Sequence, residues 1–132
     1  MGILSNKTNL LLYSGIGIII LSLFFPWTSM GSEVANLWGI DKYGVFSLTP
    51  AIIALFYVKK QMYLVILGLT ILALIVSFIQ FYNIAATLYI SAPDINFSKH
   101  VVNKIFYIHI LGCIFTLLIC LFISIDKFIK NK

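Results

Sequence analysis

Arginine is missing from all 132 residues of this chain, and acidic residues number only four: Glu33, Asp41, Asp94 and Asp126. The net charge of +5 therefore comes from nine lysines, which are scattered over both ends and the gaps between apolar runs. No clustered basic face results, so nothing here matches the footprint of a phosphate backbone, and a nucleic-acid partner is not expected. Cysteine is nearly as scarce. Cys113 and Cys120 stand seven residues apart in one apolar run, about 10 Å along a helix, too far to bridge each other. The polar gaps contain no cysteine, so disulfides do not hold them. No paired carboxylates, no nucleophile beside a base and no glycine-rich phosphate loop can be found. The spacing of His100, Asp94, Glu33 and Asp41 matches no ligand motif. The sequence thus predicts no enzyme, no metal site and no cofactor.

What the chain has in abundance is apolar sequence: 61% hydrophobic residues against 10% charged, with a mean hydropathy of +1.07. Four runs carry it, Leu10–Phe25, Val45–Val58, Met62–Tyr82 and Ile105–Ile125. A hydrocarbon layer of about 30 Å takes roughly 20 apolar residues per helix, and charges fall only between the runs or at the ends. The reading is an all-α, four-helix transmembrane bundle forming one integral membrane domain over residues 1–132. Its spans are expected at about 9–26, 45–58, 62–83 and 105–125, with loops at 27–44 and 92–104. Lys7, Lys59, Lys60, Lys127, Lys130 and Lys132 fall on one side of that arrangement, and Lys42, Lys99 and Lys104 fall with three acids on the other. The lysine-rich side should be cytoplasmic, placing both N and C termini inside a cell membrane.

Local signals refine the elements. Thr8 or Asn9 should cap the first helix, and Phe24-Phe25-Pro26-Trp27 should end it. Lys7 followed by Leu10–Phe25 also has the form of a cleavable signal, but the run is long for one, and a permanent helix is the preferred reading. The second run is short, about 21 Å if wholly helical. Ser47-Leu48-Thr49-Pro50 reads as a cap followed by a proline in the first helical position, which would shorten the helix further. The third helix should start near Met62, after the tight turn at Lys59-Lys60, and can extend to Ser91 before Pro93 stops it. Triplets at Asn6 and Asn96 match glycosylation sequons.

Three groups of residues are candidates for function. Gln80 and His109 are the strongly polar side chains within the runs. They should lie at one depth on neighbouring antiparallel helices, where they could hydrogen-bond. With Ser22, Ser77 and Thr49 they outline either a polar site for a small ligand or a proton near the outer face, or a satisfied contact between helices. Trp38, Tyr43, Glu33 and Asp41 in the first long loop form a candidate partner-contact surface, with Trp38 also suited to the headgroup level. Gly15 and Gly17 in the first helix, and the four-residue recurrence Gly112, Thr116, Cys120 and Ser124 in the last, are expected to serve helix packing.

The stretch Phe24-Phe25-Pro26-Trp27, a glycine-bearing loop and then Val45–Phe56 resembles the first hairpin of small four-span prokaryotic membrane proteins, which implies the fold and no activity. The long first loop and shorter second one also resemble claudin-like four-span proteins, whose paired loop cysteines have no counterpart here. Small multidrug transporters are similar in size but need a glutamate in the first span, fluoride channels an arginine, and quinone-linked thiol oxidases outer cysteine pairs. None of these is present. The expected function is a non-catalytic membrane protein acting through protein–protein contacts in the bilayer, as an accessory subunit of a larger complex or an immunity or regulatory protein. Its partners would be lipid and other membrane protein subunits, or further copies of itself. The alternative is a subunit of a small oligomeric transporter or channel.

Overall fold

Apolar stretches with almost no interior helix breakers become helices. The computed structural model describes residues 2–24, 26–28, 37–38, 45–91 and 104–132. It contains α1 (Gly2–Leu23), β1 (Pro26–Thr28), β2 (Leu37–Trp38), α2 (Val45–Lys59), α3 (Tyr63–Ser91) and α4 (Lys104–Lys130). The helices close into a ring in which α1 packs on α2 and α4, and α3 packs on α2 and α4. Successive helices run antiparallel. The start of α1, the α2–α3 turn and the end of α4 therefore share one end of the bundle, here called the terminal end. The opposite end, the loop end, carries a two-stranded antiparallel ladder pairing Pro26 with Trp38 and Thr28 with Leu37.

Among the described residues, three helices hold windows long and apolar enough to cross a membrane: Asn6–Leu23, Tyr63–Asn83 and Ile105–Lys130. α2 is shorter, with 15 residues, or about 22 Å.

One helix start and one capping signal differ from expectation. α1 begins at Gly2, several residues before Thr8 and Asn9. No proline lies in Gly2–Lys7 to stop the helix from propagating backwards. Asn9 consequently sits inside the helix, where its side-chain Oδ1 is buried without a hydrogen-bond partner. α2 begins at Val45 and encloses Pro50, so Ser47 and Thr49 are helical residues instead of caps. α4 runs past Asp126 to Lys130, and its last turn is bridged by a Lys130–Asp126 ion pair of 2.6 Å at i,i+4 spacing.

The α2–α3 turn is tight because α2 ends in a Schellman motif. Met62 N–H donates to Tyr57 O and Gln61 N–H to Val58 O, with Gln61 in the left-handed region at φ 56°. The apolar core lies toward the terminal end and brings together Leu12 and Ile16 of α1, Ala54 and Val58 of α2, Ile66 of α3 and Cys120 of α4. Large apolar side chains such as Leu21, Phe56, Leu64 and Phe122 stand exposed outside the bundle.

α1 and α4 approach closely through glycine. A methyl group at Gly112 would sit 2.9 Å from Ile18 Cγ2, and one at Gly15 would overlap the Thr116 hydroxyl. Gly17 stands two residues from Gly15 and so is turned about 200° around the helix. A methyl group there would meet nothing within 4 Å. It takes no part in the close approach.

Candidate functional site: a buried serine–histidine network

His109 lies in the second turn of α4, on the face turned into the bundle, and its side chain is 0% exposed. Its ring touches two other helices. Nδ1 is 2.7 Å from Ser22 Oγ of α1 and 3.2 Å from the carbonyl oxygen of Ile19. Nε2 is 2.6 Å from Ser77 Oγ of α3. Ser77 Oγ is in turn 3.0 Å from Ser47 Oγ of α2. One polar side chain from each of the four helices thus joins a single line, Ser22–His109–Ser77–Ser47, across the loop-end half of the bundle.

Helical spacing explains the convergence. In α2 the buried residues are Ser47, Pro50, Ala51, Ala54 and Val58, a narrow stripe of mostly small side chains at i, i+3, i+4, i+7 and i+11. That stripe lets α3 come close enough for Ser47 Oγ to reach Ala73 O at 3.1 Å. In α3, Thr70, Ala73, Ser77 and Gln80 form the matching buried line.

The protons can be placed by elimination. Ile19 O can only accept, so we assign the imidazole proton to Nδ1, which donates toward Ile19 O and Ser22 Oγ. Ser22 Oγ donates to Ile19 O at 2.9 Å. The bare Nε2 then accepts from Ser77. Ser77 has a second acceptor in reach, Ala73 O at 2.7 Å, which Ser47 can serve in its place. Every hydroxyl proton finds an acceptor, and both ring nitrogens are engaged. In a low-dielectric interior such closure matters, because a half-satisfied polar chain costs more than an apolar core.

The arrangement pairs a serine with a histidine at short range, the elements of a nucleophile and its base. Substrate must reach such a nucleophile, however, and Ser22 is 4% exposed while Ser77 and His109 are fully buried. An apolar cleft of about 270 Å³ between α1 and α4 is lined by Ile18, Leu21, Ser22, Ile105 and Ile108. Among the described residues, no group of three or more His, Cys, Asp or Glu could hold a metal.

The sequence-derived candidates divide. His109, Ser22 and Ser77 are brought together. Gln80 is fully buried, three residues beyond Ser77 on the same face of α3. Thr49 is not part of the group: it is exposed, and its Oγ1 turns back to Val45 O at 3.2 Å. Ser47 occupies the place expected for it. Reading Ser47 as a cap concealed its role, although its spacing to Ala51, Ala54 and Val58 marks an inward face. Of the loop candidates, Trp38 lies in β2, while Glu33, Asp41 and Tyr43 lie outside the described residues. Of the packing residues, Gly15, Gly112, Thr116 and Cys120 are buried between helices, Ser124 is half-buried and Gly17 is spared. Comparison with protein-family models, curated proteins and solved structures finds no match to this chain.

Proposed function

We propose that the chain is a non-catalytic polytopic protein of the cell membrane that works through contacts with other membrane protein subunits, as an accessory, immunity or regulatory component. The observation that carries this reading is the closure of the Ser22–His109–Ser77–Ser47 line. Both ring nitrogens and every hydroxyl already have partners inside the bundle, so the network acts as an internal staple that sets helix positions. Insertion with both termini cytoplasmic is supported by the three long apolar helices and by the lysine excess at the terminal end. α2 crosses as the short member of the ring, with local thinning of the bilayer. The apolar exterior, including Tyr107, Leu111, Leu118 and Phe122 along one face of α4, is covered by lipid or by spans of a partner.

The test is purification of the tagged protein from its native membranes in mild detergent. Recovery in a stoichiometric complex with a larger membrane protein supports the proposal. A homo-oligomer that conducts a solute when reconstituted in liposomes would replace it with the transporter or channel reading.

A further inference from the structure

At the terminal end, the α2–α3 turn leaves an open groove of about 400 Å³ against the last turns of α4. One wall is apolar, formed by Leu64 and Val65 with the Tyr63 ring, and the other carries Ser124 and Lys127. Two features on this groove, the Lys127 ammonium and the start of α3, call for a negatively charged group. Lys127 Nζ stands 4.6 Å from the centre of the Tyr63 ring, and the carboxylate next to it in sequence, Asp126, is bonded to Lys130. Ser124 Oγ is buried without a hydrogen-bond partner. The first turn of α3 opens here as well: the amides of Tyr63 and Leu64 precede the first helical bonds, which run from Val65 and Ile66 to Met62 O, and such leading amides carry partial positive charge. Around the groove, the terminal end holds six lysines against Asp126 alone among the described residues.

The geometry points to a seat for one phospholipid with an anionic headgroup, its phosphate between Lys127 and the first amides of α3 and an acyl chain along Leu64 and Val65. A free phosphate would leave the apolar wall unused, whereas a lipid satisfies both halves of the groove. The inference rests on the membrane-spanning reading proposed above, with the terminal end at the level of the headgroups.

Native mass spectrometry of the detergent-purified protein, titrated with phosphatidylglycerol, phosphatidylcholine or inorganic phosphate, tests it. Phosphatidylglycerol adducts should persist at several-fold higher occupancy than phosphatidylcholine adducts. Lys127→Gln should remove that preference, Lys127→Arg should keep it and Lys7→Gln should leave it unchanged, with circular dichroism reporting that each variant is folded. Equal occupancy of the two lipids, or a preference indifferent to Lys127→Gln, overturns the seat. Displacement of phosphatidylglycerol by millimolar inorganic phosphate overturns it in favour of a free-anion site. Alkaline carbonate extraction of the starting membranes separates the two readings. Protein released by carbonate fails the membrane reading and the seat with it, whereas protein retained without lipid preference fails the seat alone.

Discussion

His109 is the residue on which three helices converge, so its removal breaks bonds to both α1 and α3 at once. His109→Phe keeps an aromatic ring, slightly larger than the imidazole, but leaves Ser22 and Ser77 without their shared partner. Interhelical hydrogen bonds in membrane proteins are worth about 0.6 kcal/mol on average and at most about 1.7, and the bonds to Ser22, Ile19 O and Ser77 are all lost, so a cost of roughly 2–5 kcal/mol is expected. The melting temperature in detergent should fall accordingly. Thr49→Val, at an exposed side chain whose hydroxyl bonds to Val45 O of its own helix, should leave it unchanged. A melting temperature moved by Thr49→Val and indifferent to His109→Phe would mean that the staple does not hold the bundle. At this scale the sequence is informative about side chains of unusual polarity and poor on common ones. His109 stands out in any apolar run, whereas Ser47, beside Thr49 and Pro50, carries a local capping signal that competes with its helical face. Only the neighbour that α2 meets, the buried line through Ala73 and Ser77, decides between the two.

Two elements owe their geometry to backbone that has room for little else. The α1–α4 contact depends on Gly15, where an added methyl would overlap the Thr116 hydroxyl and come within 3.1 Å of Phe115 Cδ1. Gly15→Ala should push the helices apart at a cost of about 1–3 kcal/mol. Gly17→Ala enters open space and removes a poor helix former, so stability should hold or rise by up to about 1 kcal/mol. Thermal unfolding of the pair distinguishes a packing site from a general tolerance of α1. Both glycines look alike in sequence, and what separates them is the direction each faces once α4 is in place. The α2–α3 turn is a different case, since it forces Gln61 to a positive φ. Gln61→Gly should relieve that strain and raise stability by roughly 0.5–1 kcal/mol; a loss would mean that the Gln61 side chain contributes more than its backbone costs. Hydropathy marked these helices well because apolar runs of this length leave few alternatives. It gave no sign of the ladder at Pro26–Thr28 and Leu37–Trp38, because strands of two or three residues are too short to show a period.

At the scale of the whole molecule, the fold and the charge distribution make separate statements about topology. Four helices alternating in direction around a ring return the chain to the end where it began, so both termini share a side whichever way the bundle sits. Under the proposed membrane reading, which side that is depends on lysines: six at the terminal end against Lys42, Lys99 and Lys104 in the segments joined to the loop end, a bias expected to hold the richer end in the cytoplasm. Green fluorescent protein fused to either terminus should therefore fluoresce, and alkaline phosphatase at either should be inactive. Replacing Lys59, Lys60, Lys127 and Lys130 by glutamine reverses the count, to two against three. The variant should divide between orientations or fail to insert, with both reporters still agreeing between the two termini. Disagreement between the termini would mean that α2, at 15 residues, does not cross. Termini found together outside would overturn the lysine argument and leave the ring intact.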